Sequence, residues 1–294
     1  MKRAYMRVLN TFNMTVKIKY TVYFLLLLFV SACSQKPLTA KQILDQAYPV
    51  YDQKHACWIS DDGDGGRYCM KLDSEQKLTL EDAERLYVIA SGELVDDQGE
   101  SNASHASLGS VGAFIAEARD GKSEVIAANP AIQAGSSGVG PTAWKFVKLG
   151  HADYWGWQNT WGDCHQGYCG SRYSILAPYR KSVKEIGFIT SEYDDTGACG
   201  GTTDKLDAEG NAVLDENGEP VQVDVDCNKS SSQVQSTLKV DTKNPNVKVY
   251  PLLITLSGSE NGEKVSSKPW VFSFDSKKWS YKTPANYPLA DKDF

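Results

Sequence analysis

The stretch WGWQNTWGDCHQGYCGSRYSILAPY, residues 155–179, decides how this chain is read. Trp155, Trp157, Asn159 and Trp161 recur at every second position. In an extended strand all four project to one face, because side chains alternate. Cys164 and Cys169 then bracket a short turn, and YSILAPY resumes an apolar strand. Strand, bracketed turn and strand set the theme for the rest of the chain.

Three chemistries compete for CHQGYC. A redox pair would hold two residues between its cysteines, and here there are four. A zinc site wants a second close ligand pair, which His55, His105 and His151 do not supply by spacing. A copper site from Cys164, His165 and Cys169 is conceivable. A disulfide is the reading the compartment favours, and the N terminus indicates that compartment. No metal or cofactor is expected.

Lys2, Arg3, Arg7, Lys17 and Lys19 form a basic leader without an acidic residue. TVYFLLLLFV, residues 21–30, is uncharged and apolar. It falls short of the ~20 residues a spanning helix needs and fits the apolar core of a secretory signal. MTVKIKY is already an adequate basic region, so the start lies at Met1 or Met14. The segment closes on Val30, Ser31, Ala32 and Cys33.

That ending resembles the lipobox of bacterial lipoproteins, and the resemblance covers residues 1 to about 35. It implies that residues 1–32 are removed and that Cys33 takes a diacylglycerol. It also implies that the new amino terminus is acylated, with palmitate as the acyl type. One acyl chain binds a membrane marginally, whereas two or three hold it. Serine rather than aspartate at position 34 implies an outer-membrane lipoprotein, facing the periplasm or the cell surface.

Removing the five basic leader residues takes the net charge from −6 to −11. An acidic chain does not suit phosphate backbones, so nucleic acid is not expected as a partner. Six cysteines remain: Cys57, Cys69, Cys164, Cys169, Cys199 and Cys227. An even number in an oxidising compartment argues for disulfides. The simplest connectivity is sequential: 57–69, 164–169 and 199–227.

Residues 33–40 read as a lipidated tether and 41–294 as a single β-rich domain. AKQILDQAYPVYDQ starts as a helix with Ile43, Leu44 and Ala47 on one side, which Pro49 ends or kinks. HACWIS and RYCMKL flank DDGDGG as a hairpin pinned by 57–69. Ser60, Asp62, Asp64 and Gly65 sit at EF-hand-like offsets, but Lys71 stands where a bidentate Glu is required. An acidic turn is the better reading. Thr79 is expected to cap a helical turn over LEDAE.

RLYVIASGEL follows as a strand. GAFIAEARDGKSEVIAA reads as a hairpin turning at Asp120-Gly121. AGSSGVGP, residues 134–141, lacks the phosphate-loop and nucleophile-elbow patterns and is expected to be a flexible surface loop. Residues 197–235 are acidic and turn-rich, an inserted hairpin enclosed by 199–227. TLKVDT, VKVYPLLITLSG, WVFSFDS and KWSYKTP add further strands. No internal repeat or heptad is evident. About ten short strands with turn signals predict an antiparallel β-sandwich or jelly roll with a short N-terminal helix.

The tryptophan row has two readings. Exposed, and with Tyr168 and Tyr173 nearby, it would stack on sugar rings or anchor a protein partner. Buried, it would be sandwich core. Asp153 and Asp163 flank it and join the ligand-binding candidates. They are also first suspects for a paired-carboxylate hydrolase. No nucleophile carries a local signature. The leading expectation is therefore a lipid-anchored, non-catalytic envelope protein that binds a glycan or protein partner through residues 153–173. The alternatives are an envelope hydrolase, and an inhibitor or immunity-type lipoprotein gripping its partner with the loop at 197–227.

Overall fold

The computed structural model describes residues 36–61 and 66–292. The signal segment, Cys33 and the calcium-like offsets at 62–65 lie outside the described residues. The chain is a sandwich of two antiparallel sheets. The first is a meander of six strands: β1 (Val50–Asp52), β2 (Cys57–Asp61), β3 (Arg67–Thr79), β4 (Glu84–Leu94), β5 (Gly109–Arg119) and β6 (Lys122–Ala134). The second begins with β7 (Lys145–Lys148), β8 (Trp155–His165), β9 (Tyr168–Tyr179) and β10 (Ser182–Asp194). After the insertion formed by β11 (Thr202–Asp204), β12 (Gln222–Asp224) and the short helix Cys227–Ser230, it resumes. It continues with β13 (Gln233–Val240), β14 (Leu252–Glu260), the stub β15 (Glu263–Lys264), β16 (Trp270–Asp275) and β17 (Ser280–Lys282). Strand neighbours follow chain order, so the sandwich is built of meanders.

Three buried layers hold it. The helix α1 (Ala40–Ala47) lies on the outer face of the first sheet, where Ile43 and Leu44 bury among Trp58, Met70, Val88 and Phe114. Thr39 caps it reciprocally with Gln42, and Pro49 follows its end. Burying each of these two aliphatic chains contributes about 1.5–3 kcal/mol. The middle layer joins the sheets: Tyr87, Ile89, Val111 and Ile115 meet Trp157, Leu176 and Val183. The third fills the far side of the second sheet with Ile175, Ile186, Leu252, Ile254, Phe272 and Tyr281.

The second sheet curls. Gly187 of β10 stands 3.3 Å, measured from a β-carbon built on it, from the ring of Tyr281 in β17. Yet β13, β14 and β16 separate those strands in hydrogen-bond order. Register shifts at Glu185/Gly187 and Thr190/Glu192 bend β10 enough to allow this.

The Asp120-Gly121 hairpin forms as expected, with φ of 51° and 73°. Two local expectations are corrected. Leu80–Ala83 make a tight turn closed by Leu80 N–H to Ala83 C=O, and no helical turn. β3 and β4 pair up to Thr79↔Glu84, and that ladder overrides the capping signal. The glycine-rich segment 134–141 is largely buried. Gly138 N–H donates to Ser107 C=O, Leu94 N–H to Gly138 C=O, and Gly140 N–H to Gly92 C=O. A β-carbon on Gly109 would fall 1.9 Å from Gly140 N. The glycines serve close backbone packing rather than mobility.

Candidate functional site

The tryptophan row of β8 is real, and it faces inward. Trp157 is 1% exposed and Asn159 7%. Trp157 packs edge-on to Tyr87 of the opposite sheet at 5.5 Å, and Trp155 stacks on Phe146 at 4.8 Å. Asn159 donates to Thr142 C=O at 2.7 Å, which satisfies its buried amide. Tyr173 is buried in the far layer, its hydroxyl donating to Ser236 C=O. The expectation of an exposed aromatic platform is corrected for Trp155, Trp157, Asn159 and Tyr173, which serve the core. The reason is coverage: the first sheet lies over this face of β8, and the curled far half of the second sheet lies over Tyr173.

Trp161, at the far end of the row, is half-buried. It meets Phe188 at 5.9 Å, and Arg172 lies over Phe188 with its Cζ 4.8 Å from the ring centre. Phe188 is 47% exposed, an aromatic surface that the spacing of the tryptophans did not mark, and of the sequence candidates Tyr168 also reaches solvent.

Asp153 sits in the β7–β8 turn and Asp163 near the opposite end of β8. Trp155 and Asp163 stand eight positions apart along the strand, a span of ~27 Å. Glycosidase carboxylates stand roughly 5–10 Å apart. The two aspartates therefore cannot act on one bond. The ring contacts of His55, His105 and His165 are with carboxylates or with one another. His55 Nδ1 bonds Asp52 at 2.7 Å, and His165 Nε2 lies 3.1 Å from Asp163. The His105 ring lies 6.1 Å from that of His165. Among the described residues no histidine hydrogen-bonds a hydroxyl, and no group of three or more His, Cys, Asp or Glu side chains is placed to hold a metal ion.

The features that reach solvent gather at one end. β8 and β9 join through Gln166-Gly167, both at positive φ (51° and 87°), the hallmark of a two-residue hairpin turn. Cys164 and Cys169 are directly opposed there and bonded, with α-carbons 4.0 Å apart. Cys57–Cys69 and Cys199–Cys227 complete the sequential set. The stapled turn abuts the start of the insertion: a β-carbon on Gly167 would lie 2.3 Å from the carbonyl carbon of Gly197. Tyr168, 44% exposed, borders an open depression of about 250 Å³ with Asp195, Cys199, Val225 and Ser230.

From this base the insertion projects. β11 and β12 form its stem, closed below by Cys199–Cys227. Above the stem stands an eight-residue repeat, LDAEGNAV at 206–213 and LDENGEPV at 214–221, which corrects the reading of a chain without internal repeats; strand alternation alone does not pick it out. Each unit folds as one turn pinned by its aspartate. The Asp207 carboxylate accepts N–H bonds from Glu209 and Asn211, and that of Asp215 from Asn217 and Glu219. The Asn211 and Glu219 amides are the main reason both carboxyls titrate below their ordinary range. The units close a ring. Val213 N–H donates to Lys205, Val221 N–H to Val213, and Lys205 N–H to Val221, at 2.7, 2.8 and 2.7 Å. The result is a knob whose backbone is bonded to itself. Leu206 and Leu214 open the two units and stand 59% and 56% exposed. Eight carboxylates and one lysine lie from Thr202 to Asp226.

No family model matches the chain, and no curated protein or solved structure matches it.

Proposed function

We propose that this is a lipid-anchored envelope protein, non-catalytic, that grips a protein partner with the knob at 205–221 and the stapled turn beside it. The observation that carries this reading is the pair of exposed leucines on a self-bonded, acidic knob. Exposed leucines on a mobile loop would lose entropy on binding. On a closed ring most of that entropy is already lost, which favours tight association. The carboxylates around them favour a partner whose apolar pocket is rimmed by Lys or Arg, and would raise the rate of encounter. The burial of Trp157, Asn159 and Tyr173 counts against a sugar-stacking platform. The wide separation of Asp153 and Asp163 counts against the glycoside hydrolase. Of the alternatives, the inhibitor-like reading is closest, since it too acts through the loop at 197–227. Attachment through Cys33 and location at the outer membrane follow from the lipobox resemblance.

The test places a photo-crosslinking residue at Leu206 or Leu214 in cells, with Val271 as an exposed apolar control. The expected result is one discrete adduct from both knob positions and none from Val271. Leu206→Asp with Leu214→Asp should abolish binding of the partner so identified without lowering Tm. No adduct from the knob, together with a saturable tryptophan-fluorescence shift on peptidoglycan fragments, would replace this reading with a glycan binder.

A further inference from the structure

The helix α1 leaves part of the first sheet uncovered. Between it and β6 runs an open apolar groove of about 280 Å³. Ile43 and Ala47 form its helical wall, Phe114 its floor, and Val125 and Ala128 its far wall. Among the described residues that line it, only Gln46 is polar. Val125 is 37% exposed, so the groove opens to solvent. Its two ends are fixed. At one, Tyr48 Oη donates to Pro130 C=O at 2.7 Å; beyond the other, Leu38 N–H donates to Ser123 Oγ at 3.0 Å.

That second bond decides what the groove meets. It holds the incoming chain at the start of β6, next to the groove's mouth. Cys33 lies five residues before Leu38, so its α-carbon stays within ~18 Å of that point. From Val125 to Pro130 the strand spans ~17 Å. An acyl chain on Cys33 therefore starts within reach of the mouth, and the groove has the length and the apolar lining for much of one chain. We infer that this groove receives one acyl chain of the lipid on Cys33. The inference rests on the lipid-anchor reading above. Its consequence is orientation: with one chain held beside α1 and the others in the bilayer, the α1 face stays at the membrane and the domain cannot swing freely on its tether.

The test uses the full chain, exported by a bacterial host fed a palmitate analogue bearing a diazirine. Mass spectrometry of the residue-33 peptide first reads whether lipid is attached. Ultraviolet cross-linking then reads where the chain lies. The expected result is lipid on Cys33 and cross-links to the peptides spanning 41–48 and 123–130. Val125→Glu should reduce them at least fivefold, and Val271→Glu should leave them unchanged. Gln46→Leu, which makes the groove fully apolar, should retain them. Lipid on Cys33 without cross-links to those peptides overturns the groove inference and leaves the anchor standing. An unlipidated residue 33 overturns both.

Discussion

Gly167 and Gly197 meet backbone to backbone, the first in the stapled turn and the second at the root of the knob. A β-carbon built on Gly167 would lie 2.3 Å from the Gly197 carbonyl carbon and 2.4 Å from Ala198 N. The turn is thereby a buttress for the insertion, and its position bears on how the knob is aimed.

Gly167→Ala adds both this clash and the strain of a φ of +87°. The expected cost is about 2 kcal/mol, or about 4–8 °C in Tm. Gly210→Ala has the same φ of +87° but nothing within 4 Å. It strains only its own knob turn and should leave the global Tm unchanged. Paired thermal scans check the contrast, and hydrogen exchange of residues 195–200 should accelerate in the first variant alone.

Trp157 and Phe188 separate core from surface in the aromatic region. Trp157→Ala should destabilise by about 3–5 kcal/mol, as expected for a fully buried ring. Phe188→Ala, which removes a half-exposed ring and its contact with Arg172, should cost about 1 kcal/mol. Urea denaturation of both variants measures the difference. Equal costs would refute the inward reading of the tryptophan row.

The three disulfides should yield to reductant in two stages, the two surface bonds before the buried one. Cys57 is 0% and Cys69 7% exposed, whereas Cys199–Cys227 closes a solvent-exposed insertion. Timed alkylation under mild dithiothreitol should label the surface pairs Cys164, Cys169, Cys199 and Cys227 while the sandwich is still folded. Cys57 and Cys69 should label only on global unfolding. Loss of the 199–227 bond releases a 28-residue loop, worth ~3.6 kcal/mol of chain entropy in the simple model. Because that loop is local, the loss should fall on the knob rather than on the domain.

Glu185 supplies a pH signature. Burial pushes its carboxyl above the ordinary value of 4.5, and the hydrogen bond from Ser174 Oγ offsets this only in part. A carboxyl with a raised folded pKa binds more protons folded than unfolded. Its contribution to stability therefore falls as pH rises from the unfolded toward the folded value. Glu185→Gln keeps an oxygen for Ser174 and removes that penalty. It should raise Tm at pH 8 and change it little at pH 3, read by melts across that range.

Much of this architecture is legible in the amino-acid sequence. The capped helix at 40–47, the Asp120-Gly121 hairpin and the sequential disulfides follow from local chemistry: periodicity, turn residues and the cysteine count in an oxidising compartment. The eight-residue repeat is also present in the letters. Its units fold as turns rather than strands, so a search for alternation passes over them; the recurring Leu-Asp…Gly…Val spacing is the signal that reveals it. Phe188 has no such signal, since its exposure depends on where the first sheet ends.

The sequence by itself determined that this is a chain of alternating strands, where most of them turn, and that six cysteines are available to pair; the sequential pairing was its simplest choice, which the fold then made. Those properties act over a few residues. Only the tertiary structure decided which face of each strand meets water. Alternation assigns Trp155, Trp157, Asn159 and Trp161 to one side of β8, but the side is core or surface according to whether another sheet covers it. The first sheet covers it, so Trp157 became core. The insertion at 199–227 lies under neither sheet, so its leucines stayed exposed.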